Sequence, residues 1–430
     1  MTVSNARLLN AFRPGTEIDD PDLFAGRVNE IEEVARALNT DGSCPIIYGD
    51  RGLGKSSLAL QAWLIAQGDD RLLRRNELEG WMLDEANAFL AFYVPCTDST
   101  SSTAKLLERV GSSLSSVHPD RRNEQLIDRT TTRAITLKVF SAESTRRFAP
   151  IETPLIQTSN IEDRLLALAS NLTGAYGKRV LVIVDELDRV RDTKGLASFI
   201  KSNSSDALKF LLVGIAQNVS SLLNDHLSLE RKVHPIEVRR MTINELKAIP
   251  KRATDELNRE GISVEFSEDA ISMLADRASG FPWFVHVIGQ DALVEVAGKG
   301  GNRIERQDVA QAMTRLTKNR FAQQFSDSYH KSVQDSRHRE LVLRSFASWK
   351  ARDIPTAEVY RILKARLGVS NPSIYKGHLL TSSYGRILLT PPHGTREVRF
   401  ANEMFKIYAR LRSSLFEGVD ELVNDAFSNT

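Results

Sequence analysis

The sequence predicts an α/β protein. A parallel sheet surrounds a phosphate-binding loop, and a helical lid and a C-terminal winged helix-turn-helix follow. Three observations carry this. Gly49 to Ser56 reads G-D-R-G-L-G-K-S, a complete G-x-x-x-x-G-K-[ST] loop. Leu181-Val182-Ile183-Val184-Asp185-Glu186 is an apolar run ending in two carboxylates. From Thr242 the pattern turns helical, and it closes on three helix-like segments with a basic hairpin behind them.

The loop has the context it needs, with a short apolar strand (45–48) entering it and a helix from Ser56 to Leu64 leaving it. A polyphosphate must be held without bulky side chains in the way. Gly49, Gly52 and Gly54 let successive backbone N–H groups turn inward as an anion nest, with Asp50, Arg51, Leu53 and Ser57 completing the cradle. The emerging helix adds its positive N-terminal end. Lys55 is expected on the β- and γ-phosphates, and the Ser56 hydroxyl on Mg²⁺. A lone carboxylate at the end of an apolar strand is costly unless a cation needs it, so Asp185 is the expected second Mg²⁺ contact. Glu186 is placed to polarise the water attacking the γ-phosphate. ATP and Mg²⁺ are therefore the expected cofactors. A plain glycine turn near an ordinary acidic strand is the bland alternative, and the order and setting of the two halves weigh against it.

Residues 1–40 form a lead-in and 41–240 the core. Strands are expected at 45–48, 89–94, 180–184, 209–215 and 235–238, and helices at 101–117 and 160–172. Their unbroken apolar runs suit a parallel sheet covered on both faces. The stretch 119–158, in which 132–139 alternates like an exposed strand, reads as a surface insertion. The lid spans 241–320. It has a capping box at Thr242-Ile243-Asn244-Glu245, a cap at Ser267, a break at Gly280-Phe281-Pro282-Trp283 and a last helix from 305 to 318. The winged helix spans 337–412, its third helix running from Pro372 to Thr381, and 413–430 reads as an uninformative acidic tail.

Net charge is only +2, yet 337–412 holds 15 Lys+Arg against 5 Asp+Glu, leaving 42 against 50 elsewhere. That asymmetry points to a polyanionic partner, double-stranded DNA above all. Ser373 and Lys376 on the third helix, with Arg396 and Arg399 on the wing, are the expected contacts. A basic surface facing the acidic remainder of the same chain is the alternative. Cys44 and Cys96 read as small core residues rather than a disulfide or metal pair. No apolar stretch approaches the roughly 20 residues of a membrane span. The first 14 residues lack signal-peptide character. A cytoplasmic protein without a membrane partner is expected.

In this order Phe24-x-Gly26-Arg27-x-x-Glu30, the phosphate loop, the Asp185-Glu186 strand, the Gly280-x-Pro282 lid and the winged helix resemble one branch of the AAA+ ATPases. That branch includes the replication initiators of the origin-recognition group and borders the STAND signalling ATPases. The resemblance covers about residues 20–412. It implies ATP hydrolysis, self-assembly into a ring or filament, and further roles for named residues. Phe24, Gly26 and Arg27 fall in the segment that wraps the adenine. Gln217 or Asn218 takes the place of a polar residue orienting the attacking water. Asn224 to Arg231 resembles the helix and loop carrying an arginine finger, which makes Arg231 the candidate in trans and Arg239 and Arg240 weaker ones; a surface or internally paired arginine is the alternative. Pro282 falls where the STAND proline packs near the adenine. Trp283 departs from the initiators, which carry an arginine there, and that departure implies slow turnover. A nucleotide-dependent switch engaging DNA is the leading expectation. The others are a signalling ATPase whose winged helix is a clamp and whose partner is a protein, and a DNA-binding regulator with a structural nucleotide.

Overall fold

The computed structural model describes residues 5–83, 88–116, 161–203, 208–215, 231–318, 323–391 and 396–427. The 119–158 insertion, Gln217, Asn218 and 224–230 lie outside the described residues. The chain divides into two compact units, Asn29–Tyr48 with Leu58–Glu237, and Met1–Val28 with Gly49–Ser57 and Val238–Thr430.

The first unit is the sheet. Strands β1 (Cys44–Tyr48), β2 (Phe89–Pro95), β3 (Arg179–Asp185), β4 (Leu208–Gly214) and β5 (Val233–Glu237) pair in the order β2-β3-β4-β1-β5. Every pairing is parallel. The expected strands are all present, within two residues. The apolar runs of β3 and β4 have the cause expected of them: β4 is buried at every position and β3 at every position after Arg179. Helices α5 (Thr103–Ser115), α6 (Ile161–Tyr176) and α7 (Leu196–Asn203) set Leu107, Val110, Leu165, Leu172, Phe199 and Ile200 in one core with alternate residues of β3. Each such side chain contributes about 1.5–3 kcal/mol by leaving water.

A lysine is buried inside this unit. Lys209 of β4 is 1% exposed, and its Nζ donates to the carbonyls of Ala37 (2.9 Å), Leu38 (3.0 Å) and Thr40 (2.6 Å). These are orphan carbonyls at the C-terminal end of α2 (Val28–Asn39), where a cation is electrostatically favoured. Cys44 and Cys96 are free and buried, and burial pushes both thiols up to about 12, which makes them inert core residues.

The second unit begins with α1 (Asn5–Ala11) and includes the phosphate loop, from which α3 (Lys55–Ala66) starts at Lys55. In the sheet unit α4 (Arg71–Arg75) follows α3. The lid is α8 (Ile243–Arg259), α9 (Glu268–Ala278), α10 (Pro282–Gly298) and α11 (Arg306–Lys318), with short strands β6 (Glu265–Phe266) and β7 (Arg303–Ile304). The capping box at Thr242 is formed in both directions, and Ser267 caps α9.

The C-terminal module runs through α12 (Gln323–Val333), α13 (Arg337–Ser348), β8 (Ile354–Pro355), α14 (Thr356–Arg366), α15 (Pro372–Leu379), β9 (Leu388–Leu389), β10 (Glu397–Phe400), α16 (Glu403–Leu411) and α17 (Val419–Phe427). The antiparallel order β8-β10-β9 behind three helices is the winged-helix arrangement. The third helix stops at Leu379, two residues short of the expected Thr381. The acidic tail needs a larger correction. Val419, Val423, Ala426 and Phe427 pack as α17 into the module's core. The segment before α17 is tied down by the buried Glu340, which accepts from Leu415 N (2.7 Å), Phe416 N (3.1 Å) and Tyr329 Oη (2.7 Å). Among the described residues, no helix is long and apolar enough to cross a membrane.

Candidate nucleotide site

The loop has the backbone that its glycines promise. Gly52 and Gly54 have φ of 78° and 88°, a region L side chains rarely adopt. A Cβ on Gly49 would lie 2.5 Å from the Val238 carbonyl oxygen, so only glycine lets the chain pass there. Lys55 folds back and donates from Nζ to the Asp50 carbonyl at 2.9 Å. Leu53 is the buried anchor, Arg51 is exposed, and the Ser57 hydroxyl accepts from Ile18 N at 3.0 Å.

The lead-in braces this loop. Phe24 is buried, its amide bonded to the Asp20 carbonyl. Gly26 has φ of 64°, and a Cβ there would meet the Glu245 side chain at 2.7 Å. Arg27 is 4% exposed, and its guanidinium donates to the carbonyls of Arg239 (2.5 Å) and Leu53 (2.8 Å). Arg27 thus holds the loop's own backbone, a role the sequence did not suggest. Glu245 accepts from Arg27 N (2.7 Å), Thr242 N (2.8 Å) and Thr242 Oγ1 (2.9 Å). Burial alone would raise its carboxyl, but these hydrogen bonds outweigh burial and hold it below the usual carboxylate range.

The C-terminal module reaches the same loop. Arg352 pairs with Asp50 at 3.1 Å, and Met404 Sδ lies 3.0 Å from where a Cβ on Gly52 would be. Glu403, 8% exposed, pairs with Arg240 at 2.5 Å, while Arg240 lies over the Phe281 ring. Arg240 is therefore committed within its own chain, which counts against it as a finger. Lys406 donates to the Ala351 carbonyl at 2.6 Å. Burial raises the Glu403 carboxyl and lowers the Lys406 ammonium to about 8. Arg410 donates to the Arg277 carbonyl (3.0 Å) and to the Ser279 hydroxyl. Pro282 starts α10 with Cγ 3.9 Å from the Cβ position of Gly54, and Trp283 Nε1 donates to the Pro14 carbonyl at 2.9 Å.

In the sheet unit, Asp185 is 5% exposed at the end of β3. Its Oδ2 accepts from Tyr93 Oη at 2.5 Å and its Oδ1 from Glu186 N at 2.7 Å. Glu186 has φ of 55° and ψ of 40°, and its carboxylate pairs with Arg189. Arg231 is exposed in the turn before β5. Among the described residues no cluster of three or more His, Cys, Asp or Glu is built to hold a metal by protein ligands alone. One hydroxyl and one carboxylate, with phosphate oxygens and water for the rest, is how Mg²⁺ is usually held. The Ser56 hydroxyl and the Asp185 carboxylate are each donors of the kind that ion takes.

Of the expected DNA contacts, Ser373 and Arg396 are exposed and Lys376 is half-buried on α15. Arg399 instead donates to Asp353 at 2.9 Å. Much of the module's positive charge is used internally, because Arg344 pairs with Asp420, Arg352 with Asp50, and Lys406 and Arg410 cap carbonyls. Arg337, Lys350, Arg361, Lys364, Arg386 and Arg396 remain exposed. The contacts that Tyr93, Arg189, Glu245, Arg352, Glu403 and Met404 make here were not read from the sequence. Of these only Glu245, in its capping box, and Arg189, three residues past Glu186, had any local signal.

No protein-family model and no curated protein matches the chain. Solved structures do. The Aeropyrum pernix ORC2 protein, in its ADPNP–ADP complexes, is 15% identical over 93% of each chain with a TM-score of 0.47. The A. pernix ORC1 protein in complex with DNA is 14% identical over 98% of this chain and 97% of its own, at 0.45. A Thermotoga maritima RuvB variant is 16% identical over 91% and 98%, at 0.43. The likeness is one of fold, and the initiator group that the motifs resemble is among these structures.

Proposed function

We propose that this protein is a cytoplasmic, Mg²⁺-dependent ATPase that turns over slowly. It acts as a self-associating, nucleotide-dependent switch that engages double-stranded DNA through its winged helix. The observation carrying the nucleotide part is the loop itself. Its glycine conformations open a line of backbone amides, Lys55 lies across it, and Arg27 and Ser57 brace it from the lead-in. Lys55 binds the β- and γ-phosphates, and Ser56 and Asp185 are the residues that would hold Mg²⁺. When bound, that ion neutralises phosphate charge. Glu186 polarises the attacking water, and Arg231, exposed before β5, is offered to a neighbouring copy. Phe24, Gly26, Arg27 and Pro282 form the adenine side.

The test is nucleotide binding and turnover by two variants. Lys55→Ala should lose nucleotide binding, and tight ATP binding by it would refute the loop assignment. Glu186→Gln should bind ATP and stop turning it over. For DNA, the exposed Ser373 and Lys376 motivate fluorescence anisotropy of a labelled duplex at two salt concentrations, with ATP, ADP or neither. Binding that weakens steeply with salt and strengthens with ATP supports the reading.

A second reading is favoured by one specific set of contacts. Arg352 on Asp50, Met404 against Gly52 and Arg240 on Glu403 put the C-terminal module on the phosphate loop. That is the arrangement expected of a signalling ATPase whose winged helix is a clamp and whose partner is a protein. Under it, Glu403→Gln speeds nucleotide exchange, and duplex binding is absent in every nucleotide state.

A further inference from the structure

The third helix of the winged module, α15, has one face the fold uses and one it leaves alone. Its inward side is pinned. Pro372 and Leu379 are buried, the Tyr375 ring stacks on His338 of α13 with centroids 5.7 Å apart, and His378 stacks on Tyr384 of the following turn at 4.7 Å. On a helix of 3.6 residues per turn, Ser373, Ile374 and Gly377 then fall on the opposite side, with Gly377 at its centre. The surroundings suit a polyanion. From Val359 to Arg396 the chain has no Asp or Glu, but it has Arg361, Lys364, Arg366, Lys376, Arg386 and Arg396.

Three features of the outward side have no cause in the module's own packing. Gly377 lies inside the helix, where glycine is less stable than alanine. A Cβ there would meet nothing within 4 Å, so no neighbour in the chain requires its absence. Bare helix backbone of this kind suits something outside the chain that comes close. Ile374, three residues earlier, is 54% exposed. One exposed apolar side chain needs no reason by itself, but this one stands beside the glycine on a cationic surface. Asn371 occupies the N-cap position and makes no side-chain cap bond. Its exposed carboxamide, donor and acceptor at once, is therefore not spent on the helix end.

We infer that this face selects A·T base pairs in the major groove of duplex DNA, with Asn371 and Ile374 as its specificity-determining residues. A carboxamide bonds adenine at N6 and N7 together, and the C5-methyl group of thymine is the apolar mark that the major groove offers to a side chain such as Ile374. Gly377 lets the helix backbone approach closely enough for both contacts. The surrounding cations hold phosphates and carry no sequence information. This selectivity presupposes the duplex engagement proposed for the winged helix and adds a base preference to it.

Selection by the full chain from a pool of duplexes with a randomised centre, followed by anisotropy on the recovered sequence, tests this. Recovered duplexes should share A·T pairs at fixed positions. Replacing thymine there by uracil removes only the methyl group and should weaken binding about 3- to 5-fold. Asn371→Ala and Ile374→Ala should flatten the preference and leave binding to an unselected duplex unchanged. Gly377→Ala should raise the urea midpoint yet weaken binding to the recovered duplex about tenfold, the scale of one lost base contact. Duplex binding without A·T preference, or equal affinity for the thymine and uracil duplexes, overturns the inference and spares the DNA reading. A Gly377→Ala protein that binds the recovered duplex as wild type does overturns it equally. The uracil comparison uses the unaltered protein, so it decides even where a variant fails to fold. Absence of binding to any duplex, in every nucleotide state, removes the DNA reading and the inference together.

Discussion

The phosphate loop and the acidic end of β3 are expected to serve one reaction, yet they are held by opposite means. The loop is fixed by burial and backbone. Gly52 and Gly54 take conformations that L side chains rarely adopt, and the buried Arg27 guanidinium grips the Leu53 carbonyl. At the strand end, Asp185 is anchored by Tyr93, but Glu186 rests on an exposed guanidinium shared with Asp98. The first arrangement is costly to change and the second is cheap. Under the proposed reading, the loop binds phosphate on a fixed backbone and the acidic end contributes side chains that are cheaper to change. Variants on the loop side should therefore cost stability and affinity together, and those on the acidic side should shift turnover or ion requirement with little cost to the fold.

The largest effect is expected at Arg27. Removing its guanidinium leaves the Leu53 and Arg239 carbonyls without their donor in a buried place. Each lost partner of that kind costs about 1–3 kcal/mol. Arg27→Ala should lower stability by roughly 2–4 kcal/mol, read as a lower urea midpoint at unchanged slope, and should weaken ATP binding as the loop loosens. A variant with full affinity and stability would break the comparison, because the loop would then owe nothing to its brace.

Glu245 offers a smaller effect with a definite pH signature. Its carboxyl is held below the usual range despite burial, so the folded state favours the ionised form. The stability it contributes is present above the unfolded value, near 4.3 for a glutamate, and is lost as pH falls through the lower folded value. Glu245→Gln should therefore be less stable than wild type at neutral pH, and the gap should close below about pH 4. Urea midpoints at pH 7 and pH 3.5 check this; a gap that stays constant would mean that the contribution is steric rather than ionic.

How much of this was legible depended on range along the chain. The strands could be read because β3 and β4 are unbroken apolar runs, and the loop because its chemistry needs a fixed spacing. The capping box at Thr242 was legible too, since its partners lie three residues apart. The second task of Glu245, accepting the Arg27 amide 218 residues away, has no local trace. The same holds for Arg352 on Asp50 and Met404 on Gly52, which exist only once the C-terminal module has folded. The misread tail is different. Val419, Val423, Ala426 and Phe427 recur at helical spacing, and the acidic residues between them obscured a signal that was present. Local charge also misled. The excess of basic residues in 337–412 is real, but burial and pairing in Arg344, Lys406 and Arg410 use part of it to hold the chain together.

The smallest effect belongs to Tyr93, and it tests the anchoring of Asp185 at the acidic end itself. Its hydroxyl donates to the one Asp185 oxygen not engaged by the Glu186 amide. Tyr93→Phe keeps the ring on β2 and removes a single hydrogen bond to a charged group, so stability should fall by only about 1–2 kcal/mol. Partners that orient a metal-binding carboxylate are typically worth about 10- to 100-fold in metal affinity, and Asp185 is already held on its other side, so the lower end applies. Half-saturation by Mg²⁺ in nucleotide binding, followed by fluorescence of a labelled ATP analogue, should rise by roughly tenfold, with kcat at saturating Mg²⁺ unchanged. If Tyr93→Phe instead changed kcat and left the Mg²⁺ requirement alone, Tyr93 would not be positioning a metal-binding carboxylate. The proposed assignment of Asp185 to the ion would then be lost.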